Sequence, residues 1–209
     1  VSYTEKVVAL GARTEAKATE ILRLWKAGQI SKTEAIGTMA SLIAKANVKA
    51  TALADASLAA TLSLETGEAV PAIGVTQRSG GTILRRAIRK ILNTPTTEAD
   101  MLMRVQRIAR LEPIGQAARA HSKALAAQPA VEGWVRGMDA DPCQLCRWWY
   151  RDGRVWPKNH PMPHHKGCTC TQIPTMIPGV PSTGYTAKIE RRRNALSNTK
   201  KHNPERTAR

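Results

Sequence analysis

The chain has 209 residues with no Phe and three Tyr, and its 32 Lys and Arg against 16 Asp and Glu give a formal charge of +16. No stretch approaches the roughly 18–20 uninterrupted apolar residues of a membrane span. The N-terminal VSYTEKVVALGART lacks the basic-then-apolar pattern of a secretory signal, so we expect synthesis in the cytoplasm and no membrane partner.

A pI near 10.3 points to a working life beside polyanion, nucleic acid first. The alternative is a solvated basic surface, but the last 24 residues hold eight basic and only two acidic side chains. Much of the apolar content is Ala, which packs helices closely but buries little area per residue. A large self-sufficient core in the first 130 residues is therefore not expected.

Residues 4–27 carry Val7, Val8, Leu10, Ile21, Leu22, Leu24 and Trp25 among charges, as an amphipathic helix does, and Gly28 ends it. Ser31 and Glu34 have capping-box spacing for a second helix running to about Leu64, with Ile36, Met39, Leu42, Ile43, Leu53, Leu58 and Leu62 on its buried side. The short link makes the two helices an antiparallel hairpin. Such a thin hairpin leaves one side in need of another surface. Gly67–Gly81 reads as a loop. Thr82–Leu92 is a short basic helix, with Arg85, Arg86, Arg89 and Lys90 set against Ile83, Leu84, Ile88 and Ile91. Thr97–Gln128 is helical again, Pro113 marking a kink or restart.

Texture changes at Val131, and four of the five Trp fall within 134–156. Asp152-Gly153, between Trp148-Trp149-Tyr150 and Val155-Trp156, is a β-hairpin signal. Beyond Cys170 the chain is rich in Pro and Gly. It ends in a basic tail with Arg191, Arg192, Arg193, Lys200 and Lys201, where a short helix over 186–197 or disorder is expected. The fold class is thus mainly α: an elongated helical hairpin or bundle over 1–130, a small zinc-stapled β-hairpin module over 131–175, and a Pro/Gly-rich linker with basic tail over 176–209.

All four cysteines lie in the pattern C-x2-C-x18-H-x2-C-x-C, formed by Cys143, Cys146, His165, Cys168 and Cys170. Two thiolates two residues apart reach one metal from a tight knuckle, and His165 with Cys168 offers a second knuckle; together they complete a tetrahedral zinc site. Cys170 can replace Cys168, and His164 is a further spare, so the spacing leaves the four ligands open. A segment this short needs such a staple. Disulfides fit a secreted chain, which nothing here marks, and clustering beside two His argues against inert core thiols.

A catalytic zinc keeps an open position with a carboxylate base nearby. Asp139, Asp141 and Asp152 are close in sequence, but none stands in an H-E-x-x-H or H-x-E arrangement. His160 and His164 admit a nuclease reading, yet no acid adjoins either. No G-x-S-x-G marks a hydrolase.

The stretch Gly133-Trp134, Asp141-Pro142-Cys143-Gln144-Leu145-Cys146, Asp152-Gly153 and Pro163-His164-His165-Lys166-Gly167-Cys168-Thr169-Cys170 resembles the C-terminal module of phage Mu F-like minor head proteins. That module has a Cys-x2-Cys, a polar-Gly turn and an ending close to H-P-x-C-R-C; here Lys166 stands for the usual Pro and Thr169 for the usual Arg. The helical part is similar in layout to minor capsid proteins of actinobacterial phages. The resemblance implies a virion protein in the capsid interior near the portal, in several copies. Its partners would be the portal or major capsid protein and non-specifically bound double-stranded DNA, and its role head assembly or DNA ejection without enzymatic activity. On this reading the open side of the hairpin is covered by the portal or a neighbouring copy. The enzyme alternatives are a capsid maturation protease, a label some relatives carry, and a zinc-dependent nuclease.

Overall fold

The computed structural model describes residues 2–76 and 80–202, with side chains described through 195. The first helix, α1 (Tyr3–Lys26), starts in a capping box: the Ser2 hydroxyl accepts from the Glu5 amide, and the Glu5 carboxylate accepts from the Ser2 amide. Gly28 at φ 72° turns the chain out of it. α2 (Lys32–Thr66) opens with the same device at Ser31 and Glu34 and ends at Gly67 in the left-handed conformation. Its 35 residues span about 52 Å at the helical rise. α3 (Gly81–Asn93) buries Leu84, Ile88 and Leu92, one face at spacing four. α4 (Glu98–Ala127) is capped by Thr97 and runs through the buried Pro113 as one helix.

The surface that completes the hairpin comes from the same chain. α4 packs along both α1 and α2, and α3 leans on α2. One core joins Ala18 and Leu22 to Met39 and Ile43, to Ile88, and to Val105 and Ala109. A second joins Val7, Ala50, Ile114 and Ala117. Small residues set the spacing. A Cβ on Gly11 would lie 2.8 Å from the Arg110 carbonyl oxygen and 3.3 Å from Ile114 Cδ1, so α1 approaches α4 this closely only with glycine there.

The loop after α2 is pinned rather than free. Asp55, buried on α2, accepts from the amides of Ile73, Gly74 and Val75 at 3.0, 2.8 and 2.9 Å. Gln128 donates to the Pro71 carbonyl.

Beyond α4 lies a three-stranded antiparallel sheet in the order β2-β1-β3. β1 (Gly133–Gly137) pairs along its length with β3 (Thr171–Thr175), and Trp134 faces Trp156 of β2 (Trp156–Pro157). The expected hairpin turn at Asp152-Gly153 is instead a helix exit. Trp148-Trp149-Tyr150 belong to α5 (Gln144–Tyr150), and Arg151, Asp152 and Gly153 follow with φ of 52°, 52° and 75°. The Cys143-x2-Cys146 spacing calls for a helical turn, and that outweighs the strand preference of the aromatic run.

A third core crosses from helices to sheet: Leu58 and Leu62 of α2 and Ala124 and Leu125 of α4 meet Val131, Trp134, Met162 and three of the cysteines. α6 (Gly184–His202) is anchored at its start. Tyr185 meets the His160 ring edge-on, and His160 stacks on Trp156 at 4.3 Å and bonds Thr183.

Candidate metal centre

Each knuckle is built by local backbone geometry. Cys143 is the N-cap residue of α5, so its sulfur sits beside the free amides of the first turn. Backbone hydrogen bonds from Cys146 and Leu145 lower its thiol pKa. One turn on, Cys146 points inward and is buried. On the other side the Cys168 amide donates to the His165 carbonyl, closing the turn through Gly167 at φ 84° and presenting both side chains to α5.

Three of the contacts between these groups are short, and Cys146 takes part in two of them. His165 Nε2 lies 3.1 Å from Cys143 Sγ and 3.4 Å from Cys146 Sγ, and Cys146 and Cys168 sulfurs are 3.5 Å apart. Around a tetrahedral zinc, bond lengths of about 2.3 Å to sulfur and 2.05 Å to nitrogen place ligand atoms about 3.6–3.8 Å apart. Cys143, Cys146 and His165 form one group with ligand atoms within 4.8 Å of one another; Cys146, Cys168 and Cys170 form a second, sharing Cys146. This cluster can hold a metal ion. All four cysteines are free, and neither His160 nor His164 joins either group. His160 is taken up by the aromatic stack, and His164 is exposed.

Burial pushes the Cys146 and Cys168 thiols up, so ionising them needs a compensating positive charge, which a bound divalent metal supplies. Beside them sits Arg136, only 2% exposed. Its guanidinium donates to the Pro163 carbonyl, lies 4.0 Å from Cys146 Sγ, and sits over the Trp149 ring. Among the described residues the ion pairs are Arg23–Glu20 and Arg110–Glu15, so no carboxylate answers Arg136. The sulfur cluster is the nearest candidate for its counter-charge.

Two further residues have contacts that the sequence reading did not foresee, Asp139, weighed there only as a nearby acid, and His121. Asp139 accepts from the Thr169 hydroxyl at 2.6 Å and so ties the end of β1 to the residue between Cys168 and Cys170. His121 of α4, buried, bonds the Gln172 carbonyl oxygen through Nε2 at 2.9 Å, while Ser122 donates to the Gln172 side chain at 2.6 Å. Burial holds the His121 pKa below its usual value. A lone polar residue on an otherwise apolar helix face was the available signal for His121 and for Asp55.

The basic residues stand apart from this centre. Arg85, Arg86, Arg89 and Lys90 are all exposed on α3, opposite its buried stripe. Arg191, Arg192 and Arg193 are exposed on α6. Lys200 and Lys201 fall in that helix's last turns, with side chains outside the described residues.

No family model matches the chain, and no curated protein or solved structure matches it. No helix among the described residues is long and apolar enough to cross a membrane.

Proposed function

We propose that Cys143, Cys146, His165 and Cys168 hold a structural zinc ion, and that the chain is a minor head protein of a phage virion. On this reading it sits inside the capsid near the portal, in several copies, and touches double-stranded DNA without reading its sequence. The observation that carries the metal assignment is the grouping of Cys143, Cys146 and His165 within ligand reach of one another, with Cys168 Sγ 3.5 Å from the shared Cys146 Sγ. Three thiolates around a dication leave one net negative charge, which the buried Arg136 balances. In this proposal Cys170, which groups with Cys146 and Cys168, stays outside the coordination sphere.

The virion role rests on the resemblance of the Cys/His module to Mu F-like minor head proteins. The charge supports the DNA contact: α3 offers four exposed cations and no acid, and the described side chains of α6 offer four more, Lys188 and Arg191 to Arg193. A density map of assembled particles tests the location. The account expects several copies on the inner wall beside the portal; a chain found only outside the capsid, or absent from particles, contradicts it.

A further inference from the structure

Two clefts adjoin along α4, both lined by Ala87, Ile108, Glu112 and Arg119. One, of about 560 Å³, lies between α3, α4 and the metal loop and adds Arg107, His164 and Lys166. The other, of about 590 Å³, lies between α2, α3 and α4 and adds Asn47 and Lys123. Together they make one groove whose charged lining, among the described residues, is four cations against the single carboxylate of Glu112. None of the four cations forms an ion pair among the described residues.

Arg119, between the two clefts, is held in place from below. Its Nε and Nη2 both donate to Gln116 Oε1, at 3.2 and 3.0 Å. Gln116 donates in turn to Thr51 Oγ1 at 3.1 Å, and Thr51 to the Asn47 carbonyl at 3.0 Å. Gln116, Thr51 and Asn47 are all buried, so the relay is rigid. Asn47 also lines this groove, and its buried Oδ1 has no hydrogen-bond partner. A buried amide, Gln116, spent on orienting a surface guanidinium that meets no carboxylate makes little sense for stability alone. It does suit a planar fork awaiting an anionic oxygen pair.

We infer that this groove binds the phosphodiester backbone of nucleic acid, with Arg119 as its oriented contact and Arg107, Lys123 and Lys166 flanking it. The inference rests on the nucleic-acid reading above and moves the main contact from the α3 face and tail to the groove beside the metal loop. The α1–α2 cleft is also cationic, lined by Arg13, Lys17, Lys45 and Lys49. There no hydrogen bond from a buried group holds a cation in place, so it serves as the charge-matched comparison.

The test is binding of a short duplex of arbitrary sequence to the full chain across a salt series, for the native protein, Arg107→Ala/Arg119→Ala and Arg13→Ala/Lys17→Ala. Each lost phosphate contact lowers the slope of log affinity against log salt by about one, so the groove variant should lose about two and the comparison variant none. Melting temperature and metal content, measured on both, separate lost contact from lost fold. As a second readout, duplex should shield Lys166 and Lys123 of the native chain from acetylation more than Lys17 and Lys45. Equal slope losses in the two variants, or equal shielding, would overturn the groove. So would saturation by inorganic phosphate that depends on Arg119 while duplex affinity does not. A native chain that binds no duplex at low salt would instead remove the nucleic-acid reading itself.

Discussion

Burying Arg136 without a negative neighbour would cost several kcal/mol, because a desolvated guanidinium keeps little of its hydration energy. Its place beside Cys146 therefore ties the charge balance of the sheet to the state of the sulfurs. Arg136→Met should lower metal affinity by about 10–100-fold, the usual effect of removing a group that steadies a ligand, as read by chelator competition. Arg136→Lys, which keeps charge but not the fork, should recover part of it. His121 makes a different demand. Its folded pKa lies below the unfolded value, so the neutral ring contributes stability that is present above about pH 6.5 and lost as pH falls through the lowered value. Urea midpoints between pH 8 and 5 should fall less for His121→Gln than for the native chain; parallel curves would remove His121 from the acid response.

At the scale of elements, the start of α2 was legible from Ser31 and Glu34 because capping is written locally, whereas the same device at Ser2 and Glu5 went unread. Ser2 with Glu5 and Ser31 with Glu34 fix their own amides with no help from the rest of the fold. The aromatic run at 148–150 was misread because strand preference is a weak local signal. The turn that carries Cys146 inward to His165 and Cys168, 19 and 22 residues on, is fixed by non-local contacts and overrides it. Asp55 was illegible for a related reason, since its three amide donors lie 18 to 20 residues away. Helix packing yields a sharp test at Gly11. A methyl group there meets the α4 backbone, which cannot step aside as a flexible side chain can. Gly11→Ala should cost about 1–3 kcal/mol in denaturant unfolding, and a neutral result would mean α1 shifts freely on α4.

For the whole molecule, the sequence announced a mainly helical chain with a cysteine-bearing appendage, and that is the fold. What it could not show is that α4 closes the hairpin and that one core runs from α2 and α4 into the sheet. A third helix more than 30 residues downstream in the chain leaves no local pattern naming its partner. This changes an expectation, because the helices no longer need the portal to cover their apolar side. The chain alone should melt cooperatively, and loss of metal should loosen the ends of α2 and α4 along with the sheet. Removing residues 188–209 should leave that melt unchanged while weakening duplex binding, because it spares Tyr185 and Thr186, which fasten the start of α6.

Metal content and ligand identity test the central claim most directly, by elemental analysis and X-ray absorption at the zinc edge on the purified full chain. The account predicts about one zinc per chain with three sulfur and one nitrogen neighbours, retained in Cys170→Ser and lost in Cys168→Ser. A folded chain without metal, a Cys143–Cys146 disulfide, or a site that survives Cys168→Ser unchanged would contradict it.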